Sequence, residues 1–100
     1  MALMEITLIP MGTGTTSCSP YIARVLDIAE KDPKVTYRLN PMGTVLEGEL
    51  HDVYACLERM QEALFSDGIR RVYTVAKIDD RRDKYQSMDQ RIQSVEEKQQ

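Results

Sequence analysis

Val35-Thr36-Tyr37-Arg38-Leu39-Asn40-Pro41-Met42-Gly43-Thr44-Val45-Leu46-Glu47-Gly48-Glu49 alternates in orientation on both sides of a turn. In its first half Val35, Tyr37 and Leu39 share one face while Thr36, Arg38 and Asn40 share the other, which is the period of a β-strand. Asn40-Pro41-Met42-Gly43 is turn chemistry: proline presets its own φ, and asparagine and glycine tolerate tight backbone. The second half places Thr44, Leu46 and Gly48 on one face and Val45, Glu47 and Glu49 on the other. These residues predict a β-hairpin, with Gly48 leaving room for a helix to approach closely.

Upstream of the hairpin, Ile22, Val25, Leu26 and Ala29 recur at helical spacing between Ser19-Pro20 and Asp32-Pro33. Ser19 is read as the N-cap with Pro20 in the first turn, and the residue before Pro33 resists the α region and closes the helix. Before that helix, Leu3 to Pro10 alternates Met4, Ile6 and Leu8 with Glu5, Thr7 and Ile9 as a first strand. Downstream, Asp52 is read as the cap of a second helix whose stripe Val53, Cys56, Leu57, Met60 and Leu64 runs to a stop at Gly68. Ile69 to Asp79 is the fourth strand, with Val72, Thr74, Ala76 and Ile78 opposed to Tyr73, Val75, Lys77 and Asp79.

The order is therefore βαββαβ, an α+β chain of the ferredoxin-like, split βαβ class. Interleaving two right-handed crossovers gives an antiparallel four-stranded sheet with both helices on one face. A short C-terminal helix follows, because Ser87-Met88-Asp89-Gln90 reads as a capping box. Its stripe of Met88, Ile92 and Val95 is too narrow to hold a helix alone, so it must dock, with a neighbouring subunit as a candidate, and Glu96 to Gln100 should fray. No repeat or linker divides residues 1–100, which read as a single domain.

At 100 residues, such a domain buries only about two-thirds of the surface its unfolded chain exposes, and a partner subunit would help it. The 42% apolar and 29% charged composition is that of a folding chain. A net charge of −3 with no Lys/Arg block argues against nucleic acid. Glu5 and Thr7 interrupt the apolar run from Met4 to Met11 and no basic segment precedes it, so no signal peptide or membrane span is expected, and a cytoplasmic location is. Cys18 and Cys56 lack a neighbouring Cys or His at ligand spacing and are read as small buried hydrophobes, with a disulfide formally open.

Both main helices cover one side of the sheet, so the opposite side carries the functional question. Antiparallel pairing keeps residue numbers at a constant sum, setting Glu5, Thr7 and Ile9 opposite Lys77, Val75 and Tyr73, and Thr36 and Arg38 beside Glu47 and Val45. This face interleaves Ile9, Val45, Tyr73 and Val75 with Glu5, Glu47, Arg38 and Lys77. The mixture suits sheet-on-sheet association, with acids and bases paired to each other or to a ligand. The plainer alternative is a solvated face on which pairs such as Glu5 with Lys77 neutralise one another.

Elsewhere, Gly12-Thr13-Gly14-Thr15-Thr16 joins a strand to a helix where amides and hydroxyls can receive a phosphate, but it lacks a P-loop ending, and a plain loop is favoured. The charge run Asp79-Asp80-Arg81-Arg82-Asp83-Lys84 reads as a solvated loop without a cation set. His51 has no sequence-local nucleophile beside it, and nothing shows Glu5 and Glu47 to be an acid and base pair with split pKa values. The reading is of a binding protein with no catalytic residue, no metal ligand and no cofactor.

Three segments together, Glu5-Ile6-Thr7-Leu8-Ile9-Pro10-Met11-Gly12-Thr13, Asn40-Pro41-Met42-Gly43-Thr44-Val45-Leu46-Glu47-Gly48 and Lys77-Ile78-Asp79-Asp80-Arg81-Arg82-Asp83-Lys84, resemble the YkoF-like thiamine-binding proteins, a family long uncharacterised. The resemblance covers nearly the whole chain and departs from the family pattern at Ser17-Cys18-Ser19-Pro20. It implies a ferredoxin-like subunit that assembles through its sheet into homodimers or homotetramers. It also implies non-catalytic binding of thiamine, thiamine phosphate or the hydroxymethylpyrimidine part at or near subunit interfaces.

Thiamine joins a permanently cationic thiazolium to a flat aminopyrimidine, so its site should offer carboxylate or aromatic surface and hydrogen-bond partners. Glu47 and Glu5 are the first candidates, as acceptors or counter-charge, with Tyr37 or Tyr73 as aromatic surface. Thr7, Thr44 and Asn40 are candidate polar contacts, and Met11 and Met42 candidate apolar walls. The competing readings are a phosphate or nucleotide binder using the Gly12 to Ser17 loop with Arg81 or Arg82, a purely structural or regulatory oligomeric domain, and an enzyme acting on a pyrimidine.

Overall fold

The alternating runs form one antiparallel sheet in a computed structural model of the protein, which describes residues 1–99. The elements are β1 (Ala2–Pro10), α1 (Ser19–Glu30), β2 (Thr36–Asn40), β3 (Gly43–Gly48), α2 (Leu50–Ser66), β4 (Val72–Asp80) and α3 (Met88–Lys98). Strand order is β2-β3-β1-β4, so the chain has the ferredoxin-like α+β arrangement expected from the order of its elements. The register agrees as well, with Glu5 opposite Lys77, Thr7 opposite Val75, Ile9 opposite Tyr73, Thr36 opposite Glu47 and Arg38 opposite Val45.

One face of the sheet is packed by α1 and α2. Met4, Ile6 and Leu46 from the strands meet Val25 and Ala29 of α1 and Val53, Cys56, Met60 and Leu64 of α2. These are the residues that the periods of two and 3.6 aim inward. Tightness at Gly48 has two sources: a Cβ there would lie 2.9 Å from the Lys34 carbonyl oxygen and 3.5 Å from Val53 Cγ1. The helix is thus one neighbour, and the chain entering β2 is the closer one.

Helix ends depart from the expected caps in two places. Cys18, not Ser19, is the N-cap of α1 and makes no side-chain capping bond, so Ser19 and Pro20 are the first two helical residues. Glu49 is the N-cap of α2, and Asp52 stands in the first turn, where its carboxylate complements the positive end of the helix dipole. The far end of α2 matches expectation. Gly68 takes φ +98° and donates to Phe65 O while Ile69 donates to Leu64 O, a Schellman termination. Ile69 therefore belongs to that cap and packs on the core, and β4 begins at Val72.

Two burial expectations are corrected. Within α1, Val25 and Ala29 are buried but Ile22 is exposed, and Tyr21 and Ile28 supply part of the packing instead. Cys56 is buried as expected, whereas Cys18 is exposed because the N-cap lies outside the helix's buried face.

The capping box forms: Gln90 N donates to Ser87 Oγ at 3.2 Å and Ser87 N to Gln90 Oε1 at 2.8 Å. From there α3 runs to Lys98 without the fraying expected from Glu96 onward, and Gln100 lies outside the described residues. The docking expected of α3 takes place on the chain's own sheet, on the side opposite α1 and α2. Charge pairs and one backbone bond hold it there, making up for its narrow apolar stripe. Among the described residues no helix is long and apolar enough to cross a membrane.

Candidate functional site

The open side of the sheet is built from the odd positions of β1, β3 and β4 and the even positions of β2. Successive rows across it read Asn40, Gly43, Thr7, Val75, then Arg38, Val45, Glu5, Lys77, then Thr36, Glu47, Leu3, Asp79. Of the residues singled out from the sequence, Glu5, Thr7, Asn40, Glu47 and Tyr73 stand on this face. Met11 and Met42 are exposed, Met11 just past the end of β1 and Met42 in the hairpin turn.

Tyr37 and Thr44 are not brought to this group. Thr44 is buried beneath the helices, opposite Ile6. Tyr37 faces the same way, and its hydroxyl donates to Glu30 Oε2 of α1 at 2.6 Å. That bond, with the nearby Glu30 charge, raises the phenol pKa. The signal that separates them from the others is the alternation itself, which sets positions 37 and 44 on the side of Val35 and Leu46.

The two glutamates differ in what already holds them. Glu47 Oε2 accepts from the Met88 backbone N–H at 2.7 Å, so its carboxylate serves the first turn of α3. Glu5 Oε1 is 3.6 Å from Lys77 Nζ, and both side chains reach water, so that pair is loose. Beside Glu5, Thr7 Oγ1 donates to Met42 O at 3.3 Å. A notch lies between them because residue 43 has no side chain: a Cβ there would sit 3.1 Å from Ile6 O, 3.4 Å from Glu5 Cγ and 3.5 Å from Thr7 Oγ1. Gly43 reads in sequence only as a turn residue, and its place opposite Thr7 follows from the register.

Two hollows flank Glu5. One of about 250 Å³ includes Leu3, Glu5, Val45 and Lys77. The other, about 190 Å³, lies between sheet and α3, with Leu3, Val45, Met88 and Ile92 as apolar walls and Arg38, Asn40 and Arg91 supplying polar groups. Beyond the reach of α3 the face continues as exposed Ile9, Tyr73 and Val75.

The competing features are largely self-contained. In the glycine loop, Thr13 Oγ1 donates to Thr15 O, and Ser17 N donates to Thr15 Oγ1. Arg81 binds Asp83 through two nitrogens, at 2.6 and 3.0 Å, and Arg82 binds Asp80. Arg81 pulls the Asp83 carboxyl down to about 2. His51 lies exposed in the first turn of α2, beside a hollow of about 490 Å³ shared with Lys31, Lys34 and Arg59. There Asp32 is already bound by Arg59 and by the Lys34 N–H. Burial, chiefly, with the Asp32 charge next, pushes the Cys56 thiol up to about 11, so it is a poor nucleophile at neutral pH. Among the described residues no group of three or more His, Cys, Asp or Glu is arranged to hold a metal ion.

A family model described as thiamine-binding protein matches residues 4–96. The UPF0045 protein YqgV of Bacillus subtilis is 45% identical over 98 residues, covering 95% of this chain and 94% of its own. Among solved structures, hypothetical protein MJ1052 of Methanocaldococcus jannaschii superposes with a TM-score of 0.85 at 28% identity, covering 96% of both chains. A Thermotoga maritima protein for which a role in thiamine biosynthesis or salvage has been suggested superposes with a TM-score of 0.78 at 15% identity, covering 94% of this chain and 97% of that one, and shares the fold.

Proposed function

Because the chain belongs to the family of thiamine-binding proteins, we propose that it binds thiamine or a related pyrimidine, without transforming it, on the open face of its sheet beside a second copy of the chain. The observation that carries this reading is Glu5, a carboxylate held only loosely by Lys77, beside the notch left by Gly43 and the hydroxyl of Thr7. A cationic thiazolium gains from such a counter-charge once water is excluded, and an aminopyrimidine can donate to Glu5 and accept from Asn40. Exposed Tyr73, Ile9 and Val75 supply apolar and aromatic surface at the same end of the face. Those side chains are also what a second sheet would cover.

Glu5 takes precedence over Glu47 in this proposal, since Glu47 already holds the start of α3. The alternative of a phosphate site in the glycine loop is weakened by the hydrogen bonds that loop makes to itself. The test is calorimetric titration of thiamine and hydroxymethylpyrimidine into the full chain, with light scattering for mass. Parent protein is expected to bind as an oligomer, and Glu5→Gln to bind about tenfold or more weakly with its melting temperature kept. Equal affinities for parent and Glu5→Gln would remove Glu5 from the site, and a monomer that binds normally would remove the second copy.

A further inference from the structure

α3 roofs part of the open face and has no share in the core. It buries no residue, and Ile92 and Val95 stay exposed along it. Polar contacts tie it to the sheet: Arg38 with Asp89, Arg91 with Asp79 and the Met88 N–H with Glu47. Against them stands Arg91 Nε, which the docked position buries without a hydrogen-bond partner among the described residues. A donor shut away from both water and protein costs free energy, and lifting the helix returns it by letting water in. The helix can also lift whole. Its capping box, Ser87 with Gln90, is internal to it, and the segment 81–86 that joins it to β4 is neither helix nor strand.

What lies beneath α3 gives such a movement a use. Leu3 and Val45 line both hollows that flank Glu5. Glu5 lines the one in which α3 has no part, and Asn40 lines the one beneath α3. At about 250 and about 190 Å³, each is smaller than the roughly 300 Å³ at which small-molecule pockets begin. A ring that donates to Glu5 and accepts from Asn40 must cross the Val45 side chain that the two hollows share, and so reach under Met88 and Ile92. We propose that α3 is a lid on this site: it swings on the segment 81–86 to let a ligand in between itself and the sheet, and then closes over it. The lid rests on the thiamine reading above and assigns how that site is entered. Charge pairs suit such a part, because they define one closed position and, when exposed, are weak enough to break and re-form.

Kinetics of thiamine binding to the full chain test the lid through Asp89→Asn. That carboxylate is 81% exposed and lines neither hollow, and its loss frees Arg38 from α3. A ligand that passes only under a lifted α3 is slowed by the closed position in both directions. The variant should therefore raise the association and dissociation rate constants together, each about two- to fivefold, with the dissociation constant changing less than either. Losing a negative charge would by steering alone slow the arrival of a cation, so the expected sign is opposite to that of simple attraction. An association rate constant equal to or below the parent's would overturn the lid and leave the thiamine site standing. A rise in dissociation alone would make α3 a fixed wall, which overturns the lid as well. Amide exchange of the free chain needs no ligand: protection in α3, relative to intrinsic exchange, should be about a hundredfold or more below that in β1, and equal protection would again overturn the lid. Parent protein that binds no thiamine would overturn the reading of the site and the lid with it, whatever the exchange pattern.

Discussion

The two faces of the sheet are built from the same strands and are held in different ways. On the helix side, Met4, Ile6 and Leu46 meet Val53, Cys56, Met60 and Leu64 in a continuous apolar core. On the open side α3, the covering element among the described residues, has no buried residue, and it is held by Arg38 with Asp89, Arg91 with Asp79 and Glu47 with the Met88 N–H. Apolar burial is non-directional and strong in sum, while exposed charge pairs contribute little each and depend on pH and salt. Stability therefore resides chiefly on the helix-covered face.

The largest effect should come from breaking the packed face. Leu46→Ala is expected to lower unfolding free energy by about 2–5 kcal/mol in urea titrations, because it leaves a cavity in the core. Val75→Ala on the open face should stay within about 0.5 kcal/mol in the same assay. Equal losses would erase the contrast.

A matched pair of glycines sharpens it. Gly48→Ala pushes a methyl group to 2.9 Å from the Lys34 carbonyl, where only backbone can give way, and should destabilise by about 1–3 kcal/mol. Gly43→Ala meets its nearest atom at 3.1 Å and fills the notch beside Glu5 and Thr7, so its effect should fall more on ligand affinity than on melting temperature. Calorimetry on both variants separates the two outcomes.

The smallest effect is one of pH. Arg91 holds the Asp79 carboxyl below its ordinary 3.8, first by hydrogen bond and then by charge. A depressed carboxyl stabilises the fold at pH values above its unfolded pKa and loses that contribution as pH falls through the folded one. Amide protection in α3, taken relative to the intrinsic exchange rate at each pH, should therefore fall below about pH 4, before that of the core strands. Protection lost from α3 and β1 together would show that α3 is part of the core unit.

Much of the molecule was legible in local pattern. Alternation around Asn40-Pro41-Met42-Gly43 identified the hairpin, and constant-sum pairing reproduced the register of β1 with β4 and of β2 with β3. The same alternation separates Tyr37 and Thr44 from Glu5, although residue type alone groups them. Caps were less legible, since Ser19 and Asp52 are good capping residues at positions where neighbouring geometry put Cys18 and Glu49.

Periodicity, turn chemistry and the capping box at Ser87 act over a few residues, so the amino-acid sequence by itself determined the strands, the helices and their order. Where α3 lies was decided only in the folded chain, by contacts between residues far apart in sequence: Arg38 with Asp89, Glu47 with Met88. Those long-range contacts engage Glu47 and leave Glu5 as the freer carboxylate. A solvent-exposed charge carries no local signature of its partner, because any opposite charge within reach satisfies it, and reach is set by the fold.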